Sequence, residues 1–483
     1  MHTTMTNPFQ HHEQLLTRRQ LFGRTSAGIG VAALASLLNT RLLSGAEAKD
    51  ALPHFTPTAK RVIFLCQSGA PSQIDLFDHK PGLKALHGKE TPAEVRMGQR
   101  LTTMTSDQEL LPVTASPFEF AKHGESGAEL SELLPHTAQV ADELCIVRSM
   151  YTEAINHDPA LTMLQTGTER PGQPSMGSWV NYGLASENED LPGFVVLISG
   201  GAPNDQPLFG RLWGSGFLPT GHQGVKLRGG AESMLYLANS PGITRKIRRR
   251  MIDSLAELNQ LHQDDVGAPE INARIEQFEL AFHMQKALPR IANLNDEPEH
   301  TFDLYGEDAK QPGSYAANCL LARRLVDRDV RFVQLYHRGW DHHSSINSRI
   351  KGKCRETDQA SAALVHDLKQ RGLLKDTLIV WAGEFGRTVF CQGKLDTKDY
   401  GRDHHPRCFS IWMAGGGVKA GLTYGKTDDF SYNVDEKPVH IHDLQATILH
   451  CLGVDHEQLT YRYQGRDHRL TDIGGEVVRG VLG

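Results

Sequence analysis

The chain has 483 residues, with 51 basic against 57 acidic side chains, a formal net charge of −6 and 24 histidines. That length fits two or three domains or one large α/β unit with a sizeable core. A nearly balanced charge, without basic blocks interleaved with aromatics, argues against nucleic acid as a partner.

The first 48 residues read as a targeting segment and not as part of the fold. Thr17-Arg18-Arg19-Gln20-Leu21-Phe22 carries a twin-arginine signature. The mildly apolar Gly/Ala-rich run from Thr25 to Leu38 is too short to span a bilayer. Ala46-Glu47-Ala48 then offers a small-x-small cleavage site. The expectation is export to the periplasm or the extracellular space, with no transmembrane segment in the mature chain. Twin-arginine export moves folded proteins, often with a cofactor bound, which favours a metal or cofactor enzyme.

Arg61 to Cys66 is an apolar strand that runs into a Gly/Ser/Pro turn and then Asp75. Such a turn at the carboxyl edge of a sheet can hold a metal or phosphate, although Asp75 would equally cap a short helix or turn. From Lys80 to Glu129 the chain is irregular. Leu130 to Glu143 has helical spacing at Leu130, Leu133, Leu134 and Val140, ahead of the strand Leu144 to Val147. That strand delivers Ile155-Asn156-His157-Asp158-Pro159 to the same edge, before a helix from Ala160 to Gln165. His157-Asp158 reads as a helix cap with an exposed imidazole unless this edge is a site. Phe194 to Ile198 is a further strand, followed by a Gly/Pro-rich loop system to Gly230. Two helical segments, Lys246 to Gln260 and Ile271 to Ala292, read as a cover outside the sheet.

A helix from Tyr315 to Asp327 feeds the strand Arg331 to Tyr336, which hands off to His337-Arg338-Gly339-Trp340-Asp341-His342-His343. The spacing Asp341-x-His343 brings an oxygen and a nitrogen ligand to one ion from a tight turn. A helix from Thr357 to Gln370 returns to the strand Thr377 to Gly383. There the chain turns polar at Glu384 and Arg387, and a loop leads to Gly401-Arg402-Asp403-His404-His405-Pro406. A continuous apolar run ending in a carboxylate is the carboxyl edge of a buried parallel strand, where open α/β sheets bind ligands. The right-handed crossover rule places Asp341/His343 and Glu384 on neighbouring strand ends. Asp75, Asp341, His343, Glu384 and His404 recur after strand ends, which assigns them to a divalent-metal site. Mixed carboxylate and imidazole ligands suit zinc, manganese or iron better than calcium. Arg387, or Arg402, would hold the non-bridging oxygens of an ester, and Asp403 is a candidate for activating water. His157 could be a ligand, a general acid or a nucleophile. The seven cysteines form no CxxC pair, and most read as buried small hydrophobes. The strand Phe409 to Ala414 and the amphipathic helix from His442 to Leu452 close the fold at Gly453.

Four motifs taken together resemble the exported family catalogued as domain of unknown function fifteen-oh-one, grouped with the alkaline phosphatase/sulfatase superfamily. They are Gly69-Ala-Pro-Ser-Gln-Ile-Asp75-Leu-Phe-Asp78, Gly339-Trp-Asp341-His-His343, Trp381-Ala-Gly-Glu384-Phe-Gly-Arg387-Thr388 and Gly401-Arg-Asp-His404-His-Pro406. The resemblance spans about Arg61 to Gly474. It implies an alkaline-phosphatase-like three-layer α/β sandwich with a largely parallel central sheet and a metal-dependent site at the carboxyl edge. Asp75, Asp341/His343, Glu384 and His404 follow the superfamily's order, with Glu384 where an Asp is usual and Phe385 where phosphatases have His. The departure is at the nucleophile. Counting back from Thr166-Gly167, His157 stands at the sulfatase Cys position, Pro159 is kept and Leu161 replaces the Arg. Formylglycine chemistry is therefore not expected. The expected function is an exported metal-dependent hydrolase of phosphate or sulfate esters, acting on a small-molecule or polysaccharide substrate. The alternative is a non-catalytic protein that keeps the metal fold to bind an envelope or polysaccharide partner.

Overall fold

Runs of consecutive apolar residues build the centre of the structure, a computed structural model that describes residues 52–483 apart from 202–204, 229–233, 235–238, 241, 267–268 and 396–398. The twin-arginine segment and the cleavage site at Ala46-Glu47-Ala48 lie outside the described residues. The strands that matter here are β1 (Arg61–Ser68), β2 (Leu144–Tyr151), β3 (Phe194–Ser199), β4 (Phe332–Arg338), β5 (Thr377–Ala382), β6 (Gly386–Gln392), β7 (Gly401–His405) and β8 (Phe409–Ala414). The main sheet runs Leu422–Tyr424, β2, β8, β5, β1, β4, β3, Val225–Lys226, with Val439–His440 also pairing to β2. Its pairs are parallel except those of β8, which is antiparallel to both β2 and β5.

Strands buried on both faces need apolar residues at every position, which is why these segments read as unbroken runs. The helices that matter here are α1 (His157–Thr166), α2 (Arg245–Val266), α3 (Pro269–Ala292), α4 (Tyr315–Val326), α5 (Ile346–Gln370) and α6 (Ile441–Cys451). On one face Ile63, Leu65, Val333, Leu335, Ile379 and Trp381 join a core with Leu320 and Leu325 of α4 and Leu364 and Leu368 of α5. Met284, Leu288 and Ile291 of α3 pack into that same core. On the other face Val147, Ile411 and Met413 meet Leu444 and Thr447 of α6. Gln445 of α6 donates to the carbonyls of Met163 and Leu164 in α1. The result is a three-layer α/β/α sandwich around a largely parallel sheet. All seven cysteines are buried and unpaired, and no described helix is long and apolar enough to cross a membrane.

Three readings of the sequence need correction. Residues 130–143 do not form one helix: Ala128–Ser131 is a strand paired with Phe120–His123, and only Thr137–Glu143 is helical, as a 3-10 segment. Pro135 stands between them and cannot donate to an α-helical ladder. The loop expected from Arg387 to Gly401 is also shorter than it reads, because Gly386–Gln392 and Gly401–His405 form β6 and β7, a two-stranded antiparallel ribbon that pairs His404 with Arg387. Finally, β4 and β5 are not neighbours, because β1 lies between them.

That insertion of β1 puts its exit turn at the middle of the edge. Gly69 adopts φ +110°, and a Cβ there would lie 2.5 Å from the Asp341 nitrogen and 2.8 Å from that of Trp340. The turn after β1 and the Asp341 turn therefore touch backbone to backbone. Gly69→Ala should lower the urea midpoint by more than a surface change does, since positive φ alone costs about 1–3 kcal/mol and the contact adds to it. An unchanged midpoint would show that this turn can move away from Asp341.

Candidate metal centre

Four side chains from three strand ends converge. His157 begins α1 after β2, Asp341 and His343 lie in the turn after β4, and His404 is in β7. Each offers one ligand atom, and the four atoms lie within 4.8 Å of one another. Asp341 Oδ1 is 3.1 Å from His157 Nε2, 2.8 Å from His343 Nε2 and 3.7 Å from His404 Nε2. The Nε2 atoms of His343 and His404 are 3.0 Å apart. Donors held ~2.0–2.1 Å from a tetrahedral ion sit roughly 3.3 Å from one another, so these spacings fit one ion.

The opposite ring nitrogens decide which way the lone pairs point. His157 Nδ1 lies 2.5 Å from Glu384 Oε1, and His404 Nδ1 lies 2.8 Å from the Ile155 carbonyl. Both partners only accept, so both Nδ1 atoms carry the proton. His343 Nδ1 lies 2.5 Å from Gln392 Oε1 in the same arrangement. Each ring then presents a bare Nε2 to the cluster. His157 Nε2 is buried and has no hydrogen-bond partner, although Asp341 Oδ1 is close by. Lone pairs facing one another and a carboxylate repel unless a cation sits among them. Carboxylate or carbonyl support of a ring's far nitrogen is the usual way a histidine ligand is oriented.

Charge follows the same logic. Burial alone would raise Asp341, but contacts with His157, His343 and His404 and the charge of Arg387 hold it well below the usual carboxylate range. Burial pushes His404 down to about 4, so it is neutral. Burial also opposes charge on His157, but the carboxylates of Asp341 and Glu384 on either side of the ring outweigh it and raise that group, so the site favours a positive charge at this point. Glu384 is fully buried and also accepts from the Gly69 N–H at 2.9 Å. Glu384 and Asp341 carry two negative charges against one on Arg387, leaving room for a divalent cation.

The structure separates the remaining predicted site residues from this cluster. Asp75 is buried in an ion pair with Arg402, whose Nε donates at 2.9 Å and Nη2 at 3.3 Å, and Ser72 Oγ donates at 2.6 Å. Its oxygens are taken, so it is not among the converging ligands. Glu384 meets the cluster only through His157. Arg387 is 1 % exposed and spent within the protein, on Asp341 Oδ1 at 2.7 Å and the carbonyls of Gly69, Ala70 and Arg402. Neither it nor Arg402 is free to grip an ester. Asp403 accepts from the hydroxyls of Thr102 and Thr105 and from the His404 N–H. It ties a loop to the ligand strand and faces no reacting group. Sequence reasoning missed Gln392 and the Ile155 carbonyl, whose proximity to the rings depends on the β6–β7 register. A cleft of about 360 Å³ opens beside His404, bounded by residues 99–102, 151–155 and 403–407.

The family model described as "Protein of unknown function (DUF1501)" matches residues 59–482. No curated protein matches. Among solved structures, a phosphonate monoester hydrolase from Silicibacter pomeroyi is similar at 12% identity and a TM-score of 0.36, covering 88% of this chain and 76% of that one. A Pseudoalteromonas sp. sulfatase matches at 12% identity and TM-score 0.32, covering 85% and 71%. A TAB5 alkaline phosphatase mutant with Mg bound matches at 12% and 0.33, covering 82% and 98%.

Because Glu384 acts on the cluster through His157, Glu384→Gln should weaken metal binding by about 10–100-fold while Asp341→Ala removes it. Elemental analysis after dialysis against graded chelator checks both. Equal metal retention in wild type and the Glu384 variant would detach Glu384 from the site.

Proposed function

Since the chain belongs to the DUF1501 family, whose description assigns no activity, we propose a function from its own site: an exported metal-dependent hydrolase of phosphate or sulfate esters. The observation that carries this reading is the convergence of three bare imidazole nitrogens and one carboxylate oxygen. Such a donor set suits zinc, manganese or iron. A divalent cation held there would polarise an ester oxygen and bring the pKa of water to about 7.

The chain's own residues do the positioning. Glu384 keeps the His157 proton on Nδ1 and leaves Nε2 as the donor. Arg387 offsets the Asp341 charge and locks that turn to Gly69 and Ala70. The approach of His157 Nε2 to Asp341 within the cluster supports a role as a ligand rather than a nucleophile. With His157 engaged as a ligand, the reaction we propose is direct attack by water. The twin-arginine signature supports export of the folded, loaded protein.

The test uses the purified mature chain with a panel of phosphate and sulfate monoesters. Chelation should abolish hydrolysis, and zinc, manganese or iron should restore it. His157→Ala should lose metal and activity together, whereas a nucleophile or general acid would lose activity alone, by about 10²–10⁴-fold. A wild type that holds stoichiometric metal yet hydrolyses no ester would instead favour a binding protein.

A further inference from the structure

The cleft beside His404 carries a charge that the metal cluster does not use. Arg100 and Arg407 line it and are exposed. Neither guanidinium has a hydrogen-bond or ion-pair partner among the described residues. The acidic groups that share the lining are already engaged: Glu153 lies 2.9 Å from His440 Nε2, and Asp403 accepts from Thr102 and Thr105. Among the described residues, the two arginines are thus the charged groups of the lining whose donors have no protein partner. A second feature is independent of them. Thr152 is 3 % exposed, lines the same cleft, and its hydroxyl has no partner. Buried hydroxyls are almost always satisfied by protein, water or ligand, so this one is a spare donor beside the cleft.

We infer that the cleft is an anion subsite, which takes a sulfate, phosphate or carboxylate group carried by the substrate in addition to the ester handled at the cluster. The substrate class is then a polyanionic ester, not a singly charged one. This rests on the hydrolase reading for its link to catalysis, but not for the binding itself. A planar guanidinium pairs with an oxyanion through two parallel hydrogen bonds, and a hydroxyl can donate a third. Two unpaired cations at a cleft mouth also draw anions in from solution, more strongly at low salt. A volume of about 360 Å³ falls within the range of small-molecule sites.

The probes are inorganic sulfate, inorganic phosphate and acetate, titrated into the full mature chain by calorimetry at low salt, with and without the metal. Sulfate or phosphate should bind in both states, and the Arg100→Gln/Arg407→Gln double variant should bind at least about tenfold more weakly at unchanged metal content. Thr152→Val should weaken binding by a smaller factor, and acetate against sulfate tells carboxylate from sulfate preference. Unchanged anion affinity in the double variant overturns the subsite. So does anion binding that vanishes whenever the metal is removed, because the anion would then sit on the metal. Loss of ester hydrolysis with anion binding intact would strike the hydrolase reading and leave the subsite standing.

Discussion

Three imidazole nitrogens without protons, facing one carboxylate oxygen, make an arrangement that a protein does not tolerate without a positive charge at its centre. In this chain that charge deficit is fixed from behind. Glu384, the Ile155 carbonyl and Gln392 each engage the far nitrogen of one ring, so none of the three can turn its proton inward without breaking that bond. Glu384 in turn is anchored by the Gly69 N–H, and Gly69 is the residue at which the central strand leaves the sheet. The orientation of a ligand ring is thus tied to the backbone of a central, buried strand. Rearranging the site means rearranging the sheet edge.

The parts of this arrangement that local sequence controls were readable. The apolar runs of β1, β3 and β5 announce buried strands, because a parallel sheet covered on both faces leaves no position for water. Asp341-x-His343 and Glu384 each follow an apolar run, and proximity to a strand end is a local property; His404 lies within the polar strand β7. What could not be read depends on contacts across the chain. Asp75 follows the first strand as a metal ligand would, yet its partner Arg402 is 327 residues away. Nothing near Asp75 distinguishes a ligand from half of an ion pair.

The β6–β7 ribbon shows a second kind of illegibility. Its residues include Arg387, Arg402, Asp403 and His405, all buried, and charged residues ordinarily signal exposure. Here the guanidinium groups are solvated by carbonyls instead of water: Arg402 donates to Thr388, Val389 and Thr114 as well as Asp75. The composition that looks like a surface loop is the interior of a polar wall. Its close fit is visible at Gly401, where a Cβ would come within 2.1 Å of the His343 carbonyl carbon.

That polar wall also explains why two arginines near a candidate ester site do not act on the ester. A guanidinium that binds a substrate must trade water for the substrate's oxygens, so it needs unfilled donors and a path to solvent. Arg387 and Arg402 have neither. Arg387 helps hold Asp341 below the usual carboxylate range and Arg402 is paired with Asp75, and removing either arginine would leave a carboxylate without its partner, a change that costs about 3–5 kcal/mol in comparable buried pairs. They set the electrostatics and geometry of the wall. On the proposed reading, recognition of an anionic substrate falls to cations that the fold leaves unspent, and along the cleft that opens at His404 those are Arg100 and Arg407. The same residue type thus divides into two roles, with burial deciding which role each arginine takes.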